Sequence, residues 1–127
     1  MSYYQWDKKL SVNVEAMDNE HIVLIKKMND VYDASKGQRP HKEIVILMDE
    51  LANYIVKHFN DEETYLFETN YPDVDAHKAE HHELLKTYSA YIDEFKETKQ
   101  VPEALYSFLT EWLVKHICTV DKKYGSR

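Results

Sequence analysis

The sequence predicts an all-α protein, an up-down-up-down antiparallel four-helix bundle with an N-terminal arm. Three observations point there. Apolar residues recur at helical spacing through four long segments. Only two glycines and three prolines interrupt 127 residues, so long helices are sustained. The breaks between segments are short, which makes successive helices antiparallel neighbours. No strand-period run is present, which excludes a two-layer α/β arrangement. With no linker, repeat or low-complexity tract, residues 1–127 read as one domain of ordinary size.

The elements follow in order. A short aromatic arm carries Tyr3, Tyr4 and Trp6. The first helix is expected from about Asp18 to Lys36, with Ile22, Ile25, Met28, Val31 and Tyr32 on its apolar face and Gly37 as its stop. The second begins after Pro40 and presents Ile44, Leu47, Met48, Leu51, Ile55, Phe59 and Leu66. It ends near Asn70, because the residue before Pro72 is pushed out of helical conformation. The third starts at Asp73 or Asp75, either of which suits a cap, and runs through Leu84, Leu85, Tyr88, Tyr91, Ile92 and Phe95. The fourth opens at Pro102, which fits the first helical position. It carries Leu105, Phe108, Leu109, Trp112, Leu113 and Ile117, and it ends at or just before Gly125.

Composition narrows the function. A net charge of −7 argues against nucleic acid, which needs a basic footprint, and against an anionic membrane surface. No stretch approaches the roughly 18 apolar residues of a membrane span, and Met-Ser-Tyr-Tyr-Gln-Trp has neither the basic nor the apolar part of a secretory signal. The single cysteine, Cys118, excludes an intramolecular disulfide. A cytoplasmic protein is the default expectation.

The chemistry lies in five of the seven histidines and two carboxylates: His21, His58-x-x-x-Glu62, His77-x-x-x-His81 and His116-x-x-x-x-Asp121. Two residues four apart differ by about 400° of helical turn, so they stack on one face. Each donor also sits on or beside the apolar stripe of its helix, which aims it at the bundle axis. Neutral imidazole suits iron, copper, nickel and zinc, and burying such a set without metal is costly. The set is that of a two-ion metal site, with metal binding coupled to folding. One interval resists the pattern. His116 and Asp121 are five residues apart, about 140° apart around an ideal helix. Either the helix widens locally to a π-type turn, or the carboxylate reaches back from the helix end.

The segments Trp6 … Asp18-x-x-His21, His58-Phe59-x-x-Glu62-Glu63, Tyr71-Pro72, His77-x-x-x-His81 and Trp112-Leu113-Val114-x-His116-Ile117-x-x-x-Asp121 resemble hemerythrin, in its bacterial single-domain form, over essentially the whole chain. The resemblance implies two iron ions per chain without haem. His77, His81 and His116 would hold one iron, and His21 and His58 the other. Glu62, Asp121 and an oxo or hydroxo group would bridge them. It also implies reversible dioxygen binding for storage, delivery or buffering, the gas being held as hydroperoxide at the two-histidine iron, and it makes the five-residue spacing the family's own. An electron-transfer or oxygen-receiving protein partner stays unidentified.

Other residues have plainer readings. His41 and His82 fall outside the pattern and are expected at the surface, as are Glu80 and Glu83. Glu63 points away from the Glu62 face, towards solvent or behind the ligands. Cys118 reads as a packed thiol. Tyr54 and Tyr124 lie near His58 and Asp121 by helical spacing, close enough for a hydroxyl to reach a ligand. A sensor acting through a separate partner, or a peroxidase-like diiron enzyme, are the alternative functions. The donor balance favours carriage, since carboxylate-rich diiron bundles use a Glu-x-x-His repeat that this chain lacks at matched positions.

Reversible binding needs a dry pocket, for which Leu24, Phe59, Leu113 and Ile117 are placed by helical spacing. Leu113 is the candidate nearest the gas. The expected outcome for Leu113→Asn is faster autoxidation of the oxygenated protein, followed by visible absorbance; an unchanged decay rate removes Leu113 from that role.

Overall fold

The computed structural model describes residues 6, 8–100, 103–117, 121 and 123, without the side chains of Lys9, Glu103, Leu113 and Val114. After a 3-10 turn at Lys8–Leu10 come α1 (Glu15–Lys36), α2 (His41–Glu68), α3 (Val74–Thr98) and α4 (Glu103–His116). They form an antiparallel four-helix bundle in which each helix packs on the next, as the sequence predicts. Among the described residues there is no strand, and no helix is long and apolar enough to cross a membrane.

Helix α1 starts at Glu15, three residues earlier than the apolar pattern suggests. Asp18 therefore sits within the first turn rather than ahead of it. Its carboxylate accepts from Val12 N–H at 2.8 Å and from the Ser11 hydroxyl at 2.6 Å, tying the arm to the helix. Leu10 and Val12 are buried by that tie, and Trp6 packs on the core. Tyr3 and Tyr4 lie outside the described residues. Gly37 does end α1, but with φ −79°; the left-handed residue is Gln38, φ 55°. Asn70 (φ 58°) turns the chain after α2, letting Tyr71 N–H donate to Leu66 C=O at 2.9 Å. Asp73 occupies the cap position of α3 without a side-chain capping bond. Pro102 and Gly125 lie outside the described residues.

The core is the expected stripe with few exceptions. Met28, Val31, Met48, Leu51, Ile55, Leu84, Tyr88, Ile92, Phe95, Leu105 and Leu109 are buried, each large apolar side chain contributing about 1.5–3 kcal/mol. Ile22, assigned above to the apolar face of α1, is instead 39% exposed. The inward face of that helix runs through His21, Leu24, Ile25 and Met28, and Ile22 is about 100° away from His21.

Alternating direction gathers the chemistry. His21 lies early in α1, His58 and Glu62 late in α2, His77 and His81 early in α3, and His116 ends α4. In an up-down-up-down bundle those positions share one end. Beyond His116 the chain adopts π-helical geometry at Ile117 and Asp121, the wider of the two alternatives for the five-residue interval, and this turns Asp121 inward to 1% exposure.

Away from that end, the buried Tyr88 hydroxyl of α3 donates to the Met48 carbonyl of α2 at 3.0 Å. Tyr88→Phe is expected to lower stability by about 1 kcal/mol, read as a lower urea midpoint at constant slope. An unchanged midpoint would show that this bond contributes nothing net.

Candidate metal centre

Two sets of donor atoms meet at the shared end of the bundle. Glu62, His77, His81 and His116 form one, and His21, His58, Glu62 and Asp121 the other; within each set the donor atoms lie within 4.8 Å of one another. All seven residues are buried. The carboxylates divide their oxygens between the sets. Glu62 Oε1 lies 2.7 Å from His77 Nε2 and 2.9 Å from His81 Nε2, while Oε2 lies 3.4 Å from His58 Nε2 and 3.6 Å from His21 Nε2. Asp121 Oδ1 is 2.9 Å from His116 Nε2 and 3.0 Å from His77 Nε2, while Oδ2 is 3.2 Å from His21 Nε2. Every imidazole thus presents Nε2 inward.

His77 Nε2 and Glu62 Oε1 make a hydrogen bond, but several of the other approaches are close without being good hydrogen bonds. His21 Nε2, His81 Nε2, His116 Nε2 and both Asp121 oxygens are buried and make no hydrogen bond, despite neighbours at 2.9–3.2 Å. Buried polar atoms are nearly always paired. Atoms that crowd together and point past one another fit donors around shared cations, and five imidazoles with two carboxylates suit a transition metal.

The opposite edges of the rings are held from outside. His58 Nδ1 lies 2.7 Å from Glu20 Oε1 and His81 Nδ1 2.9 Å from Glu63 Oε2; His116 Nδ1 is 3.7 Å from Glu80 Oε2. Aromatic rings cover two faces. Phe59 stacks on His81 with centroids 3.7 Å apart and planes 2° from parallel, and Trp112 stacks on His116 at 4.3 Å and 11°. Phe59 and Trp112 also line an apolar cavity of about 20 Å³ with Leu24, Met28, Leu51, Ile55, Leu84 and Leu109, room for about one water-sized molecule.

Electrostatics follow from this packing. Burial alone would push His58 and His77 below the usual imidazole value of 6.5. The neighbouring carboxylates outweigh it, Glu20 and Glu62 for His58, Asp121 and Glu62 for His77, and raise each to about 9. His21 is raised for the same reason, by Asp121 and Glu62 against burial. Glu62 is pulled well below the usual carboxylate range despite burial, by four surrounding histidines. Asp121 is likewise lowered: burial and the charge of Glu62 act against ionisation, and His116, His21 and His77 overcome both.

Of the pocket residues expected from sequence, Leu24 and Phe59 line the cavity. Ile117 is fully buried but is not among the described lining residues, and the Leu113 side chain lies outside the description, as do Cys118 and Tyr124. Tyr54 has the ammonium groups of Lys27 and Lys57 each 5.7 Å from its ring centre. His82 and Glu83 are exposed as expected. His41 is not a simple surface residue: its ring packs 4.6 Å from Phe95 and its Nδ1 is buried. Sequence reasoning passed over Glu20 and Trp112 as parts of the site. Trp112, one turn before His116, was within reach of helical spacing; Glu20, next to His21 but directed at another helix, was not.

The chain matches the family model "Hemerythrin HHE cation binding domain" over residues 12–127. It is 30% identical over 124 residues to a bacteriohemerythrin of Pseudomonas aeruginosa, covering 98% of this chain and 80% of that protein. It is 35% identical over 119 residues to a bacteriohemerythrin of Methylococcus capsulatus, covering 92% and 89%. A myohemerythrin of Theromyzon tessulatum is 33% identical over 125 residues, covering 98% and 92%. A crystal structure of wild-type hemerythrin superposes with a TM-score of 0.90 at 31% identity, covering 98% of this chain and 97% of that one.

The raised histidines set a pH dependence for the metal-free protein. Groups at about 9 when folded and 6.5 when unfolded stabilise fully below pH 6.5 and cease to do so as pH rises through about 9. The lowered carboxylates act oppositely, stabilising above their unfolded values near 4 and losing that effect in acid. Metal-free melting temperature should therefore peak near pH 5–6 and fall towards pH 9. The metal-loaded protein should change less over that range, because cations replace the protons. Melting curves across pH 5–10 on both forms check this; a metal-free profile flat from pH 6 to 9 would refute it.

Proposed function

This chain belongs to the hemerythrin family, and on that premise we propose that it is a reversible dioxygen-binding protein, not an enzyme, built on a non-haem diiron centre. His77, His81 and His116 would hold one iron and His21 and His58 the other, with Glu62 and Asp121 between them. The observation that carries this reading is the division of both carboxylates, each turning one oxygen to the three-histidine set and one to the two-histidine set. Two carboxylates spanning two sets suit a pair of ions better than a single enclosed one. When bound, ferrous iron supplies the electrons that dioxygen takes up on binding and gives back on release.

The protein's own side chains do the rest. The unequal histidine count gives the His21 and His58 side one nitrogen donor fewer, which supports that side as the open one. The cavity lies beside the donors: Phe59 and Trp112 of its lining stack on His81 and His116, and Leu24 of its lining is one turn along α1 from His21. Its lining is apolar, and among the described lining residues none is titratable. Such a wall excludes water and offers no proton to a bound oxygen species. Both properties favour release of the gas unchanged over peroxidase-like turnover, which needs a general acid within hydrogen-bond reach.

The deciding experiment loads the protein with ferrous iron without air, counts metal per chain, and then cycles oxygen and nitrogen while recording the visible spectrum. Two irons per chain and an absorption band that appears with oxygen and vanishes with nitrogen are expected over repeated cycles. A single irreversible oxidation would overturn the carriage reading in favour of sensing or catalysis.

A further inference from the structure

Three carboxylates stand behind the histidines in a regular order. Glu20 precedes His21 in α1 and meets His58 of α2. Glu63 follows Glu62 in α2 and meets His81 of α3. Glu80 precedes His81 in α3 and faces His116 of α4. Each is thus the sequence neighbour of an inward donor, rotated about 100° from it, which turns it along the groove towards the next helix. From these contacts we propose that Glu20 and Glu63 are positioning residues for the metal site: each accepts the Nδ1–H of the neighbouring helix's histidine and so fixes the tautomer that leaves Nε2 free to ligate.

A neutral imidazole carries one N–H, and a carboxylate can only accept. A carboxylate at Nδ1 therefore holds the proton there and keeps the Nε2 lone pair inward. At 2.7 and 2.9 Å the Glu20 and Glu63 contacts have hydrogen-bond length, and the carboxylates are only 14% and 23% exposed. Glu80 is 50% exposed and 3.7 Å away, beyond a hydrogen bond, so its effect is the smallest of the three. Glu20 is itself approached by Lys57 Nζ at 3.4 Å, although that lysine is nearer Asp61 at 2.7 Å. The arrangement also fixes how the helices meet, since each contact joins a ligand-bearing turn of one helix to that of the next.

This rests on the two-metal reading above, and zinc tests it apart from oxygen chemistry. Metal-free parent, E20A, E63A, E80A, E20Q and E63Q are titrated with zinc against a competing chelator. Histidine Nδ1–H resonances are recorded on the zinc-loaded proteins. The expected result is two zinc per parent chain, affinity about 10–100-fold weaker in E20A and E63A, and a smaller loss in E80A. Recovery is expected in E20Q and E63Q, whose amide oxygen still accepts. The His58 Nδ1–H signal should disappear only in E20A and that of His81 only in E63A. If an alanine variant folds poorly, the glutamine pair carries the test, because persistence of both signals in E20Q and E63Q is required. Parent that binds no zinc overturns both readings. Parent that binds two, with E20A and E63A indistinguishable from it, or with either signal lost in its glutamine variant, overturns this proposal alone.

Discussion

Two buried carboxylates, Glu62 at 0% and Asp121 at 1% exposure, impose the constraint around which this bundle is arranged. An ionised carboxylate held out of water needs compensating positive charge. Among the described residues no lysine or arginine is buried, so the five histidines are what the interior offers. They meet the need as imidazolium, by taking up protons, or as neutral ligands, by holding cations. The second solution satisfies all the inward atoms at once, including those that find no hydrogen bond without it.

That constraint explains the placement of the donors along the chain. Four antiparallel helices bring an early turn of α1 and α3 beside a late turn of α2 and α4, and only those turns carry donors. The remainder of each helix is free to pack Met, Leu, Ile, Tyr and Phe. The site therefore sits at one end of an otherwise conventional apolar core. Among the described residues of the donor-bearing turns, the departure from α-helical geometry is the π-helical conformation at Ile117 and Asp121, where a five-residue interval must deliver both His116 and Asp121 to one centre. A regular helix would leave that carboxylate about 140° off.

Much of this was legible in the sequence because helices are periodic. The i,i+4 pairs His58/Glu62 and His77/His81 announce their common face directly, and the bundle follows from four apolar stripes and the scarcity of glycine and proline. What was not legible depended on registration between helices. Nothing in the α1 pattern says that Glu20 will meet His58, or that Ile22, placed on the apolar face, will be 39% exposed; both depend on the rotation of α1 against α2. The start of α1 at Glu15 was hidden because the apolar pattern begins only beyond Asp18, whose carboxylate reaches back to Ser11 and Val12 from inside the first turn. Family resemblance supplied the roles of the donors, and periodicity alone would have left the metal unspecified.

The site also shows a separation of surroundings that helical geometry makes possible. A histidine on an inward turn has two nitrogens about 2 Å apart on opposite edges of one ring. Turned end-on to the bundle axis, it couples a dry interior to a polar exterior. Here Nε2 meets Glu62 or Asp121 inside, and for His58 and His81 Nδ1 meets a partly exposed glutamate outside. The cavity that adjoins the site is lined on the apolar side by Phe59 and Trp112, the same rings that stack on His81 and His116. The negative charge of Glu20 and Glu63 is thereby kept behind the imidazoles, away from the cavity wall. A carboxylate moved from that outer rank into the cavity would bring water and a proton donor with it. The same seven donors would then sit beside a wet pocket, and the case for reversible binding would give way to one for turnover.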